Sequence, residues 1–355
     1  MEKENIVGRQ AELRVLDQAL SSKTAEFIAV YGRRRIGKTF LIKEFFDNQI
    51  CFELIGMHNA TLAQQLANFS ISLGKAMGMA IQPKQPASWQ EAFLQLETFL
   101  ESTAQKEKNE KKVIFMDELP WLNTVRSNFI QALDHFWNSY ASGRKDLILV
   151  VCGSAASWMI QNIIKAKGGL HNRLTRQIRL MPFTIGETET FLRTRGVSLT
   201  RMQVAELYMV FGGVPFYLMQ AEQGLSTSQI VDAVCFSEGG LLQSEFGNLF
   251  SSLFDESNRH RLIVETLAKK QSGISRNGLL TQTNLPSGGT ASLIIDELVE
   301  SGFIESRIQW GKNTNDRVYK LIDEYTLFYF SWIAGLGKKI PGQGYWLSRQ
   351  NSPRS

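Results

Sequence analysis

The feature that most constrains this chain is a glycine-rich segment between a strand pattern and a helix pattern. Residues 32–39 read Gly-Arg-Arg-Arg-Ile-Gly-Lys-Thr and directly follow the apolar run 27–31. The glycines let the main chain curl so that its N–H groups point at an anion, and the next helix adds the positive end of its dipole. The pattern G-x-x-x-x-G-K-[ST] in this context predicts a phosphate-binding loop that binds a nucleoside triphosphate.

The same pattern assigns a role to each loop residue. Lys38 is predicted to reach the β- and γ-phosphates of ATP, and the hydroxyl of Thr39 is predicted to hold Mg²⁺. A chance match to so short a motif is the alternative, but the preceding strand and a second motif downstream make it a poor one. The candidate nucleotide-binding residues of the loop are Gly32, Arg33, Arg34, Arg35, Ile36, Gly37, Lys38, Thr39 and Phe40.

A second motif lies about 75 residues downstream, as expected for a nucleotide hydrolase. Residues 113–118 are four apolar residues followed by Asp117 and Glu118, which is typical of a buried parallel strand with carboxylates at its carboxyl end. Asp117 is predicted to hold Mg²⁺, and Glu118 is predicted to orient and polarise the attacking water. The structural alternative is that the two acids only begin a helix.

Three further candidates come from the next segments. The apolar run 147–152 predicts a strand between the two motif strands, which would put Ser154 beside the γ-phosphate as a sensor. Ser154 could equally cap a helix over 155–164. Farther along, Arg173 is the first candidate and Arg176 the second for stabilising charge on the transferred phosphoryl group. The alternative for both arginines is a solvated basic edge strand.

Taken in order, these motifs resemble the archaeal-type ATPase family. The matching segments are Val7-Gly8-Arg9, the loop 32–39, 115–121, 152–155, 173–175 and Gly212-Gly213-Val214-Pro215. The family belongs to the signal-transduction ATPases with numerous domains (STAND), in the AAA+-like branch of P-loop proteins. The resemblance implies that Arg9 lines the adenine side, that Ser154 is the first sensor, and that Pro215 contacts nucleotide from a helical lid. Longer members carry a nuclease-like C-terminal domain, which we expect this chain to lack.

We therefore expect an α/β fold, with a P-loop parallel sheet flanked by helices, followed by a helical lid and a winged helix. The predicted boundaries are 1–184 for the ATPase domain, 185–256 for the lid, 257–335 for the winged helix and 336–355 for a tail. The third helix of the winged helix carries Asp296, Glu297 and Glu300, which phosphates would repel. Positive charge lies instead on the wing, at Arg307, Lys312 and Arg317. Contact with DNA would thus be led by the wing, and a protein-interaction module is the alternative.

Bulk properties limit the partners. The net charge of +5 permits nucleic acid binding without requiring it. The three cysteines are scattered, and no apolar run reaches the ~18 residues of a membrane span, so we expect a cytoplasmic protein with reduced thiols. The sequence predicts a slow regulatory ATPase that uses Mg²⁺ and binds ATP or ADP, with a protein partner or self-association. The alternative is a DNA-binding ATPase related to replication-initiation or mobile-element proteins, with duplex DNA as its partner.

Overall fold

The computed structural model describes residues 5–79, 82–104, 110–164, 170, 172–254, 257–308, 310–311, 317–336, 342 and 344–350. Two compact units make up the chain. The first comprises Met1–Gly32 and Lys38–Leu180, and the second comprises Arg33–Gly37 and Met181–Ser355. Lys312 of the predicted wing lies outside the described residues. None of the described helices is both long and apolar enough to cross a membrane.

The first unit is built on a parallel sheet of five strands. The strands are β1 (Glu26–Tyr31), β2 (Ile50–Ile55), β3 (Lys112–Asp117), β4 (Leu147–Gly153) and β5 (Arg176–Arg179). Their order is β2-β3-β4-β1-β5, and every neighbouring pair is parallel. Strands β3 and β4 are buried along their whole length, as near-continuous apolar strands of a two-sided sheet should be. The predicted α/β class is confirmed, and β4 lies between the two motif strands as expected.

Helices cover this sheet and fill its core. They are α1 (Gln10–Leu20), α2 (Lys38–Phe46), α3 (Leu62–Ala76), α4 (Trp89–Ala104), α5 (Leu119–Leu122), α6 (Phe129–Ser139) and α7 (Ala156–Met159). Helix α3 begins where a capping box predicts it, with Thr61 accepting from the N–H of Gln64 and Gln64 returning to Thr61. Trp89 is a fully buried side chain of the core, and its ring packs edge-on against Phe69 and Phe129.

The second unit is mostly helical and contains a small sheet. Its elements are α8 (Ile185–Thr194), α9 (Arg201–Phe211), α10 (Pro215–Leu218), α11 (Thr227–Val231), α12 (Leu241–Leu253), α13 (Ser257–Ala268), β6 (Ile274–Ser275), α14 (Arg276–Thr283), α15 (Gly289–Glu300), β7 (Ile304–Ile308), β8 (Arg317–Leu321), α16 (Glu324–Phe328) and α17 (Tyr345–Gln350). Strands β6, β8 and β7 form an antiparallel sheet in that order. The run from α13 to β8 has the order of elements predicted for a winged helix.

Two local features of this unit follow from the sequence. Helix α9 ends at a left-handed Gly212, and α10 starts with a proline in its first turn, so the Gly-Gly-Val-Pro segment separates two helices. The segment predicted to be a tail contains α17, which is attached to the rest of the unit. The main-chain N–H groups of Gly344 and Trp346 donate to the carboxylate of Asp232 at 2.6 and 2.7 Å.

Candidate nucleotide-binding site

The carboxyl ends of three neighbouring strands bring the predicted site residues together. Strand β1 runs into the phosphate loop, β3 ends at Asp117 and β4 ends at Gly153, one residue before Ser154. Because the strands are parallel and adjacent, these ends lie at one edge of the sheet, where ligands of α/β proteins bind. The structure therefore brings the phosphate loop, Asp117 and Ser154 to the same edge of the sheet.

The phosphate loop has the backbone that its glycines allow. Gly32 and Gly37 have φ values of 145° and 87°, in the region that disfavours side chains. A Cβ at Gly37 would meet nothing within 4 Å, so conformation and not crowding calls for glycine there. Lys38 begins α2, is buried, and donates from Nζ to the carbonyl oxygen of Gly32 at 3.0 Å. The ammonium group thus lies across the loop.

Thr39 and Asp117 place two oxygen atoms side by side as possible metal ligands. The Thr39 hydroxyl donates to Oδ2 of Asp117 at 2.6 Å, and Oδ1 of Asp117 accepts from the N–H of Glu118 at 2.9 Å. A hydroxyl and a carboxylate suit Mg²⁺, which takes few protein oxygens and completes its shell with water and substrate phosphates. Within the described part of the chain, no group of three or more His, Cys, Asp or Glu residues could hold a metal by itself. The residues present fit the ion predicted for them.

Glu118 occupies a strained position and is held by Ser154. Its backbone is left-handed, with φ of 47°, although it is not a glycine. The Ser154 hydroxyl lies 2.7 and 2.9 Å from the two carboxylate oxygens, and the Ser154 N–H donates to Oε2 at 3.3 Å. The predicted water-orienting carboxylate and the predicted sensor are therefore direct partners.

Beside these groups, Cys152 is an inert thiol. Burial, reinforced by the nearby carboxylate of Asp117, raises the pKa of Cys152 well above its ordinary value. Cys152 is a free cysteine, and its burial keeps the thiol protonated and unreactive.

The structure does not bring the two candidate arginines to the loop within this chain. Arg176 begins β5 and forms an ion pair with Glu26, the first residue of β1. Because β5 runs parallel to β1, Arg176 and the exposed Arg173 before it lie toward the amino ends of the strands. Arg176 is thus part of an edge strand, which was the structural alternative, and Arg173 is an exposed residue shortly before that strand.

The other predicted residues take different places. Arg9 precedes α1 with a left-handed backbone and is buried, Ile36 is also buried, and Phe40 is about half exposed. Pro215 lies in the second unit at the start of α10. The side chains of Arg33 and Arg35 form ion pairs with Asp323 and Glu245, which sequence reasoning did not identify. Asp323 could be recognised as a helix start, because it caps α16, but no local pattern marks its pairing with Arg33.

Comparison with known proteins agrees with this geometry. Residues 6–221 match the model of a family described as an ATPase domain predominantly from archaea. An uncharacterised protein of Methanocaldococcus jannaschii is 23% identical over 338 residues, which are 92% of this chain and 68% of that protein. A Walker-type ATPase of Pyrococcus abyssi has a similar fold, with a TM-score of 0.64, 16% identity, and coverage of 92% of this chain and 97% of its own. The ORC2 protein of Aeropyrum pernix, solved with ADPNP and ADP, has a TM-score of 0.54, 14% identity and 98% coverage of both chains.

Proposed function

Because the chain belongs to the family of ATPase domains found predominantly in archaea, we propose that it is a slow regulatory ATPase that hydrolyses ATP to ADP and phosphate. One observation carries the proposal: at one edge of the parallel sheet, hydrogen bonds link Thr39 to Asp117, Asp117 to Glu118 and Glu118 to Ser154, and Lys38 bonds the carbonyl oxygen of Gly32 in the adjoining loop. This arrangement supplies a cation, two oxygen donors and a carboxylate base around a loop shaped for phosphate.

Each of these residues has a separate task in the reaction. A water oxygen attacks the γ-phosphorus, the bond from that phosphorus to the β–γ bridging oxygen breaks, and ADP leaves with the electron pair. Lys38 and the loop N–H groups stabilise negative charge on the phosphate oxygens. Glu118 orients the water and accepts its proton. Mg²⁺, when bound by Thr39 and Asp117, would neutralise further charge on the phosphates.

The hydrogen bonds to Glu118 support a slow, regulated enzyme. Both oxygens of this carboxylate contact the Ser154 hydroxyl, and one also accepts from the Ser154 main chain. These bonds fix the orientation of the carboxylate beside Ser154, so a change in them on nucleotide binding would change how Glu118 meets the attacking water. We expect kcat below the median of about 10 s⁻¹ for enzymes, with the nucleotide state acting as a switch on the lid and the winged helix.

Calorimetry and phosphate release test the proposal. ATP should bind the purified chain with measurable heat in the presence of Mg²⁺, and K38A should abolish tight binding. K43A is the matched control, because Lys43 is on the same helix but exposed and paired with Glu53. E118Q should retain ATP binding and lose turnover by about 100-fold or more, whereas E53Q should retain both. If E118Q hydrolyses ATP at the wild-type rate, the role given to Glu118 is wrong.

Arg173 enters the proposal only through a second copy of the chain. Its side chain is exposed and lies toward the amino ends of the strands, away from the phosphate loop, so we propose that it acts on the nucleotide of a neighbouring copy. We expect ATP to promote self-association in analytical ultracentrifugation. R173A should then lower turnover without changing ATP affinity, and a strictly monomeric enzyme with full activity would contradict this role.

A DNA-binding ATPase is the second candidate, favoured by the wing. Trp310 is fully exposed, and Arg307, Ile308 and Arg317 near it are exposed as well. An exposed aromatic ring beside cations suits contact with a nucleic acid backbone and bases, although Arg307 also forms an ion pair with Glu305. Binding of a labelled duplex that weakens steeply with salt and is lost in W310A would support this function. Equal binding of the duplex by wild type and W310A would show that Trp310 in the wing does not contact DNA.

A further inference from the structure

In the middle of the phosphate loop, the side chains of Arg33 and Arg35 form ion pairs with acids of the second unit. Residues Arg33–Gly37 group with that unit, and Arg33 is one of its most buried side chains. The Arg33 guanidinium forms an ion pair with Asp323 and lies over the ring of Phe303, 4.9 Å from its centroid. Burial opposes its charge, yet the Asp323 carboxylate raises the pKa of Arg33 above its ordinary value. Arg33 is therefore a fixed, paired cation.

Asp323 uses both of its carboxylate oxygens. Oδ1 accepts from Arg33, while Oδ2 accepts from the N–H and the hydroxyl of Thr326 at 3.0 and 2.5 Å. These last two bonds make Asp323 the N-cap of α16. A single buried carboxylate thus anchors the loop arginine and starts the helix that follows strand β8.

Arg35 is held by a second buried acid on α12. Its guanidinium lies 2.7 Å from Oε2 of Glu245 and 4.2 Å from the ring centroid of Phe216. The other oxygen of Glu245 accepts from the hydroxyl of Tyr217 at 2.8 Å. Arg35 also has a left-handed backbone, with φ of 73°. Such a conformation persists in a non-glycine residue only where its surroundings hold it.

We propose that Asp323 and Glu245 are positioning residues for nucleotide binding, and that they hold Arg33 and Arg35 so that the loop keeps its curled, phosphate-binding backbone. We call the two ion pairs, Arg33–Asp323 and Arg35–Glu245, the arginine clamp. The inference rests on the proposed function, because it concerns the same loop. It assigns the binding of phosphate to the loop N–H groups and Lys38, and assigns the charges of Arg33 and Arg35 to support of the loop.

The physical reason is pre-organisation. Removing one charge of a buried pair leaves the other without its partner, and the arginine must then move to find another. A loop freed in this way has to be ordered again when nucleotide binds, which lowers affinity without altering Glu118. Because coupling is reciprocal, a bound nucleotide should in turn steady α12 and α16, which carry the two acids.

Two nearly isosteric substitutions test the clamp. D323N keeps an oxygen that can cap α16, and E245Q keeps an oxygen that can accept from Tyr217. Each should raise the Kd for ADP and for a non-hydrolysable ATP analogue about tenfold or more, while kcat at saturating ATP changes less than threefold. E297Q is the matched control, because it alters the carboxylate of Glu297 that hydrogen-bonds His260 in the same unit and should leave Kd unchanged.

Hydrogen exchange supplies a readout that a merely structural role would not move. In the wild type, nucleotide should slow amide exchange in α12 and α16, and D323N at saturating nucleotide should lose this effect in α16. The double variant R33M/D323N should bind nucleotide no more weakly than D323N alone, because both changes break one interaction. If D323N does not fold, R35M takes its place, since Arg35 is only partly buried.

The outcomes separate the two claims. Wild-type Kd in D323N, E245Q and R35M, or tighter binding in any of them, would overturn the clamp while leaving the ATPase proposal intact. Failure of the wild-type chain to bind any nucleotide would overturn the ATPase proposal itself.

Discussion

Gly213 should tolerate no side chain, and G213A tests how the turn between α9 and α10 is built. Its φ is +66°, and a Cβ there would lie 2.1 Å from the carbonyl oxygen of Phe183 and 2.9 Å from a ring carbon of Tyr208. That carbonyl cannot move freely, because it accepts from the Tyr208 hydroxyl at 3.1 Å. The N–H of Phe183 also donates to the carbonyl oxygen of Gly213 at 2.8 Å.

The magnitude follows from two separate costs. A left-handed alanine costs about 1–2 kcal/mol relative to its relaxed conformation. To relieve the contact, the turn must shift and weaken the two hydrogen bonds at Phe183, each contributing about 0.5–1.5 kcal/mol. We therefore expect G213A to lower the free energy of unfolding by about 2–5 kcal/mol.

Urea unfolding of G213A and G224A, followed by tryptophan fluorescence, provides the assay. Gly224 is the matched control, because its φ is +81° but a Cβ there would meet nothing within 4 Å. G224A should lose only the conformational cost of about 1–2 kcal/mol, and G213A should lose clearly more. Equal losses in the two variants would show that the Phe183 contact relaxes freely, which would refute the reasoning.

Three further predictions concern titration, catalysis and stability. Burial raises the pKa of Glu324 to about 7. Between about pH 4.5 and 7 the folded state therefore keeps a proton on Glu324 that the unfolded state has lost. The free energy of unfolding should fall as pH rises through this range. E324Q does not titrate, so its melting temperature should fall less across this window; parallel curves would contradict the shift. S154A removes the hydroxyl that holds Glu118 and should lower kcat about 10- to 100-fold with unchanged ATP Kd, whereas unchanged kcat would make Ser154 only structural. R176M breaks the ion pair with Glu26 and should lower the free energy of unfolding by about 1 kcal/mol while ATPase activity stays unchanged. Loss of activity in R176M would show that Arg176 takes part in catalysis.

Local sequence patterns were sufficient to predict the parallel sheet and the strand ends that carry the candidate residues. A glycine loop after an apolar run, and two acids after another, mark strand ends by themselves. Parallel strands then place those ends side by side, so Lys38, Asp117, Glu118 and Ser154 could be grouped without coordinates. This success depends on interactions between residues that are near in sequence or on adjacent parallel strands.

The remaining features depend on contacts that no local pattern marks. Arg33 and Asp323 are 290 residues apart, and nothing near either residue identifies the other as its partner. A run of three arginines in a phosphate loop suggested contacts with phosphate, whereas two of the three side chains form ion pairs with acids of the second unit. Arg176 shows the same difficulty, because its type suggested chemistry while the direction of β5 placed it toward the amino ends of the strands.

Backbone strain is evidence about the candidate site that is independent of the sequence motifs. Among the described residues, nine other than glycine have positive φ, and five of these are Asn or Asp, which tolerate that region. The remaining four are Arg9, Arg35, Glu118 and Arg126. Three of these four were candidates from sequence patterns alone, although nothing in those patterns refers to φ. Strain of this kind persists where the fold maintains it for function, so its concentration at Arg9, Arg35 and Glu118 supports a nucleotide site that includes the clamp residue Arg35.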